Sequence, residues 1–264
     1  MNTALKKKSL EDSLSSHTSG VIESESRVET VGDCKFGGVL DQYREFLDRN
    51  FITDGDLDVN AWVRIRDQIK TVLSPAEINT FLQSTITNED HSYYLLNTSI
   101  FLSGLIQTSY NDGNSLFDLN VQNLRLLSAM GAFLDGSQEQ PLSIRVKGNV
   151  GTHLGVNSND VKFYLDGDTG FYCGDRANNS EFYVSGDVGV MTGFCSSNCL
   201  FDLKSRVENI NLVNAKGSTA LISDRESFEI IRKKYTAIYA EALKYNEIYF
   251  VHPDGKKELL VVEK

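Results

Sequence analysis

The chain has 264 residues, of which 36 are acidic and 26 basic, and its formal net charge is −10. A chain of this length can bury enough surface to fold as one large domain or two small ones, without disulfides or a structural metal. The negative charge argues against a nucleic-acid partner, because binding to a phosphate backbone relies on clustered Lys and Arg. The dense basic runs are Lys6-Lys7-Lys8 and Arg232-Lys233-Lys234, and the second lies in a predicted amphipathic helix whose charged face suits solvent.

Hydropathy and cysteine usage indicate where the chain resides. A membrane-spanning helix needs about 18 consecutive apolar residues, and no stretch of the sequence approaches that length. The N-terminus has lysines without an apolar block behind them, so no secretory signal is expected and a cytoplasmic location is favoured. Four cysteines, Cys34, Cys173, Cys195 and Cys199, are too few for a disulfide framework and suit a reducing compartment.

The first part of the chain is predicted to contain a tail and a helical domain. Residues 1–33 are rich in Ser, Glu, Thr and Lys, a composition that predicts a disordered tail. Residues 34–112 show helical periodicity and are predicted to form a small helical domain of about four helices. One of these starts at Ser74-Pro75-Ala76-Glu77, which has the pattern of a capping box with Pro in the first turn. Another is predicted from about Ser92 to Thr108.

Mixed patterns lead into a repeat. Residues 116–121 suit a strand, residues 123–134 suit a helix, and residues 142–146 alternate with the period of a strand. Three glycine-spaced octets then begin 19 residues apart, namely GNVGTHLG, GDTGFYCG and GDVGVMTG. Their nine glycines are Gly148, Gly151, Gly155, Gly167, Gly170, Gly174, Gly186, Gly189 and Gly193. A degenerate fourth turn follows, from Leu200 to about Thr219.

A short fixed period is typical of repeats that stack to bury one apolar face. An alternating strand precedes each octet, so equivalent residues of neighbouring repeats, such as Phe163, Phe182 and Phe201, are expected to contact one another. We therefore expect an α+β chain in which residues 113–221 form a short right-handed parallel β-helix of about four rungs with a 19-residue repeat. Glycine recurs in such a stack because it tolerates positive φ and close backbone approach. Residues 222–264 are predicted to form a capping helix, opened by Ser223 and Glu226, and a closing β-hairpin of residues 247–251 and 258–262.

The repeated pattern Gly-[Asn/Asp]-x-Gly-x-x-x-Gly, preceded by Ile-x-Val-x-Gly strands, resembles a known domain family. It is similar to the GXGXG β-helix domain at the C-terminal end of the glutamate synthase large subunit and in the C subunit of formylmethanofuran dehydrogenase. The resemblance covers about residues 115–219, and the segment Asn123–Ala129 ahead of the first repeat is also similar. It implies a scaffold, because in those enzymes the domain carries none of the known chemistry.

Ligand loops are not favoured. A phosphate loop needs a glycine turn running into a helix N-terminus, whereas each octet here runs into an Asn-rich corner and another strand. A calcium loop starting at Asp54 would need glycine where Val59 stands and a bidentate Glu where Ile65 stands. A turn leading to a helix capped by Asp58 is favoured instead.

Metal and acid–base sites are not favoured either. Cys195 and Cys199 supply two converging thiols where a zinc site needs four ligands, and Cys173 is expected to pack inside the stack. Asp168 and Asp187 occupy equivalent positions on neighbouring repeats, where we expect each to bond its own corner rather than to act as an acid or base. No catalytic residue, metal site or cofactor is assigned. The sequence leaves open whether the chain is an enzyme, and the absence of a catalytic constellation favours a chain that is not.

The remaining candidate is an interaction surface. Tyr164 and Tyr183 are predicted to point outward on neighbouring repeats, flanked by Arg145 and Asp202, either covered by the helical domain or offered to a partner. The favoured function is a non-catalytic scaffold or protein-interaction subunit with a protein partner or a second copy, and without nucleic acid or membrane. The alternative is a small-molecule-binding protein or enzyme subunit related to glutamate synthase or C1 metabolism, with a site between the helical domain and the repeats.

Overall fold

A computed structural model describes residues 33–49, 52–53, 56–57, 66, 68–235 and 242–261. The predicted tail up to residue 32 and most of the calcium-like segment lie outside those residues. By compactness the chain divides into residues 1–42 and residues 43–264, and the main sheet belongs to the second unit. The predicted boundaries after residues 33, 112 and 221 stay predictions.

The described residues form four α-helices: α1 (Asp33–Leu47), α2 (Pro75–Ser84), α3 (Tyr94–Asn111) and α4 (Arg225–Lys234). The capping box before α2 is confirmed, because Ser74 Oγ accepts from the Glu77 N–H and the Glu77 carboxylate accepts from the Ser74 N–H. The predicted cap of α4 is wrong by one residue. Asp224 caps this helix, and its carboxylate accepts from the Ser227 N–H at 2.8 Å.

Ten strands are present among the described residues. A two-residue pair, β1 (Ile52–Thr53) and β2 (Asp56–Leu57), stands by itself. The other eight form one sheet in the order β10-β9-β8-β7-β6-β5-β4-β3, parallel from β3 to β9 and antiparallel between β9 and β10. Their bounds are β3 Leu116–Asn120, β4 Leu142–Lys147, β5 Val161–Asp166, β6 Glu181–Val184, β7 Leu200–Leu203, β8 Thr219–Ile222, β9 Glu247–Val251 and β10 Lys257–Leu259.

The register of the sheet follows the 19-residue repeat. Alternation along each strand sends one set of side chains into the core and the other outward. Phe163, Phe182 and Phe201 are direct partners on β5, β6 and β7, and their rings stack with centroids 5.0 and 5.1 Å apart. Residues one repeat apart are therefore in contact, as predicted. The same register aligns the outward-facing side chains of neighbouring strands into a row, which is described below.

The expected right-handed β-helix of about four rungs is wrong. The strands instead make one eight-stranded, mostly parallel sheet in an α+β chain. Apolar–polar alternation lasts for only four to six residues in each repeat, so only that part forms a strand. The glycine- and Asn-rich remainder forms turns, which are linked to the next repeat by isolated bridges such as Val150–Thr169 and Asn159–Asn178.

The helix predicted for residues 123–134 is also wrong. Ala129, Gly131 and Phe133 have φ values of 60°, 69° and 57°, which interrupt a helix and form turns. The Gly155 N–H donates to the Met130 C=O and the Asp135 backbone bridges Asn159, so this segment lies beside the turn of the next repeat. It is an additional turn of the repeat, which the 19-residue spacing does not reveal because Gly131 precedes Gly155 by 24 residues.

Candidate functional site

The outer face of the sheet brings together the four residues predicted as an interaction surface. Strand pairing places Arg145 beside Tyr164, Tyr164 beside Tyr183, and Tyr183 beside Asp202. Asp118 on β3 extends this outer row at the side of Arg145. The outer row therefore consists, in order, of Asp118, Arg145, Tyr164, Tyr183 and Asp202.

The two tyrosines form the centre of the row. Their rings are stacked, with centroids 4.8 Å apart and planes 4° from parallel, and Tyr164 is 37% exposed. The Tyr183 hydroxyl donates to the Glu181 carboxylate at 2.5 Å, and Lys162 pairs with the same carboxylate at 2.9 Å. Burial and this hydrogen bond raise the pKa of Tyr183, so its phenol stays protonated and can serve as a contact but not as a base.

A groove of about 580 Å³ lies along this row. Tyr164 and Tyr183 line it together with a second row of outward side chains, which are Lys147, Asp166, Ser185 and Lys204. Lys204 pairs with Asp202 at 2.7 Å, and Arg145 lies 3.9 Å from Asp118. The groove is thus apolar at its centre and carries charges of both signs along its borders.

Helix α2 closes the β3 end of the groove, where Asn79 is one of the lining residues. The Asn79 side-chain oxygen accepts from the Asn120 N–H at 2.9 Å, and Gln83 donates its amide to the Asn120 C=O at 2.5 Å. These two side chains satisfy the N–H and C=O groups of Asn120 at the end of edge strand β3, which covers this part of the sheet edge. Neither residue was predicted from the sequence, because a half-buried amide on a helix carries no local pattern that marks its partner.

The paired aspartates of the repeat are structural. Asn149 accepts from the Asp168 N–H at 2.9 Å, and Asp168 accepts from the Asp187 N–H at 2.7 Å. Asp187 in turn accepts from the Ser205 hydroxyl, a bond that leads the causes lowering the pKa of Asp187. Each side chain therefore bonds the next repeat, whereas the sequence had predicted a bond to its own corner. Asp187 is held ionised, which does not suit a general acid.

The repeat glycines have two different roles. Gly155, Gly174 and Gly193 have positive φ, and a Cβ at each would lie 2.5 to 2.7 Å from a neighbouring side chain. Gly170 and Gly189 allow the turns of successive repeats to lie in contact. A Cβ at Gly170 would lie 3.2 Å from the backbone of Gly151, and a Cβ at Gly189 would lie 2.8 Å from the backbone of Gly170. Phosphate binding is not needed to explain any of these positions.

A titratable group outside the groove escaped the sequence analysis. Asp175, in the turn between β5 and β6, is only 4% exposed, and its Oδ1 atom has no hydrogen-bond partner among the described residues. Its other oxygen lies 3.6 Å from the Arg176 guanidinium. Burial raises the pKa of Asp175, although Arg176 opposes the shift.

The thiols are placed for packing. Cys173 and Cys199 are buried and Cys195 is half-buried, and all three are free. Burial raises the pKa of Cys173, and it raises that of Cys199 to about 11, so both remain thiols. Within the described ranges, no group of three or more His, Cys, Asp or Glu side chains could hold a metal ion.

Comparison with known proteins found no relative of this chain. No protein-family model, no curated protein and no solved structure is significantly similar to this chain. In the part of the chain that the structure describes, no helix has the length and apolar character needed to cross a membrane.

Proposed function

We propose that this chain is a non-catalytic interaction protein that holds a protein partner in the groove over Tyr164 and Tyr183. The stacked, partly exposed tyrosine pair carries the proposal, because tyrosine supplies a large rigid contact and is enriched where proteins meet. The resemblance of the glycine repeat to the GXGXG domain supports a scaffold role, since that domain has no chemistry of its own.

The charges along the groove favour a polypeptide partner. Three acidic residues (Asp118, Asp166, Asp202) and three basic residues (Arg145, Lys147, Lys204) line it. Mixed charges around an apolar centre match the polar rim and apolar core of protein interfaces. A nucleic acid would instead require a basic surface. We propose that the partner is met in the cytoplasm, where Cys173, Cys195 and Cys199 would stay reduced.

Affinity purification from native cell extract tests the proposal. We expect a stoichiometric partner to co-purify with the wild-type chain and to be lost with the double variant Tyr164→Ala/Tyr183→Ala. Tyr245→Ala is the matched control, because Tyr245 is 58% exposed and does not line the groove. A partner retained by the double variant, with its fold verified by circular dichroism, would contradict the proposal.

A small-molecule ligand in the same groove is the second candidate. Its volume of about 580 Å³ is within the range of ligand sites, and Asn79 of helix α2 lines it together with the sheet. Thermal-shift screening with amino acids, nucleotides and flavins tests this candidate. A rise in melting temperature that Tyr164→Ala abolishes would favour it over a protein partner, and no rise with any of these compounds would count against it.

A further inference from the structure

The two edges of the eight-stranded sheet are finished differently. At the β3 edge, helix α2 covers the strand and its side chains bond the Asn120 backbone. At the opposite edge, β10 is the outermost strand, and among the described residues it pairs with β9 alone. An uncovered edge presents unpaired backbone donors and acceptors, which can recruit another strand.

Hydrogen bonding to β9 shows which backbone groups face the open edge. The Leu260 N–H donates to the Ile248 C=O, and the His252 N–H donates to the Lys256 C=O, both at 2.8 Å. Bonded and non-bonded pairs alternate in an antiparallel ladder, so Lys256, Glu258 and Leu260 are the residues that bond β9. The N–H and C=O groups of Lys257 and Leu259 therefore point away from β9, toward the open edge.

Two of the outward side chains at this edge are apolar and exposed. Leu259 is 47% exposed and Val261 is 64% exposed. Leu259 lies beside Tyr249, and Tyr249 lies beside Leu221 on β8, so an apolar row leads across the outer face to the edge. Lys257 is the charged member of the outward set, and its ammonium lies 5.8 Å from the Tyr249 ring centroid.

We propose that β10 pairs antiparallel with β10 of a second copy, with Leu259 opposite Leu259 of that copy. This register sets Lys257 against Val261, which lies two residues beyond the end of β10, and it joins the two apolar rows. A register centred on Glu258, whose carboxylate is already paired with Arg225, would instead set Leu259 opposite Lys257 and would not join the two apolar rows. Because α2 packs against β3 and bonds the Asn120 backbone, pairing of β10 with β3 of another copy is hindered, which favours a closed two-fold dimer.

The dimer is expected to be weak. One short strand pair buries less than the roughly 1,200 Å² typical of stable interfaces. We therefore expect a concentration-dependent monomer–dimer equilibrium. The dimer does not depend on the groove, and it would present two grooves in one assembly.

Sedimentation velocity over a concentration series tests the pairing. The Leu259 N–H makes no bond to β9, so Leu259→Pro removes a donor from the open edge without removing one from the sheet. Leu259→Lys places a charge at the two-fold axis and serves as a second variant if proline perturbs folding. Leu126→Lys is the matched control, because Leu126 is 54% exposed and lies outside β10.

The proposal predicts dimers for the wild type and for Leu126→Lys, and an at least tenfold higher dissociation constant for both Leu259 variants. Circular dichroism would verify that each variant is folded. A wild-type chain that stays monomeric at the highest concentration would overturn the proposal, as would a folded Leu259→Lys variant that dimerises as well as the wild type.

Discussion

Asp175 stands where the neighbouring repeats have apolar side chains. The residues one repeat before and one repeat after it are Val156 and Phe194, and all three occupy equivalent places in the turns. Its carboxylate is buried, with one oxygen unpartnered among the described residues and the other at 3.6 Å from Arg176. A buried polar atom without a partner costs about 1 to 3 kcal/mol, so this position lowers the stability of the fold.

The pH dependence of stability tests this placement. Burial raises the folded-state pKa of Asp175, so the native state binds the proton more tightly than the unfolded chain does. The contribution of Asp175 is most favourable below the unfolded-state pKa and is lost as the pH rises through the folded-state pKa. We expect Asp175→Asn, which has the same shape without the charge, to raise the free energy of unfolding at pH 7 by about 1 kcal/mol.

Urea unfolding at pH 7 and at about pH 3 measures this effect. The gain should disappear at the lower pH, where the native carboxyl is already protonated. Asp118→Asn is the control, because the Asp118 side chain is 70% exposed. A gain of the same size at both pH values would exclude an origin in the charge.

Asp168 tests whether the repeated acids are structural. Its side chain accepts from the Asp187 N–H at 2.7 Å, and Asn149 makes the same contact one repeat earlier. We expect Asp168→Asn to retain most of the stability, because the amide oxygen can accept the same bond. Asp168→Ala should lower the free energy of unfolding by about 1 kcal/mol, as measured by urea unfolding. Equal losses in the two variants would show that the charge matters, not the hydrogen bond.

At the scale of the elements, the turns and strands depend on each other through the stacked phenylalanines. Gly174 has φ of 67°, and a Cβ there would lie 2.5 Å from the Phe201 ring. We expect Gly174→Ala to lower the free energy of unfolding by about 3 kcal/mol, from left-handed strain together with overpacking. Gly255→Ala separates the two causes, because Gly255 has φ of 83° and open space around it. Its loss should be about 1 to 2 kcal/mol, and an equal loss for Gly174→Ala in thermal or urea unfolding would contradict the packing argument.

The elements also show what the sequence could predict. Period-two alternation and the 19-residue spacing were sufficient to place β4 and β5 and to pair Phe163 with Phe182, because both depend on local side-chain patterns. The predicted β-helix was wrong because contacts with neighbouring repeats decide how far a turn continues as a strand. The predicted helix at residues 123–134 was wrong because positive φ values at Ala129, Gly131 and Phe133 form turns there. Asn79 and Asp175 were missed because their roles depend on residues distant in sequence or on burial.

At the scale of the whole molecule, the sheet is a platform whose two faces differ. The inner face is filled by apolar rows, such as Phe163, Phe182 and Phe201. The outer face carries the groove, and Tyr164 and Tyr183 lie at its centre. At the β3 end of the groove, Asn79 of α2 bonds the Asn120 backbone. Because the inner rows fix the strands, the outer side chains are held in register without a ligand. Such preorganisation lowers the entropy cost of binding a partner.

Site-specific photo-crosslinking tests the central claim most directly. A benzophenone amino acid at position 164 places the probe in the groove, and the same probe at position 245 is an exposed control. We predict one discrete protein adduct from native extract at position 164, its loss when Tyr183→Ala is added, and no such adduct at position 245. Absence of an adduct at position 164, or the same adducts at both positions, would contradict the assignment of the groove as the partner-binding site.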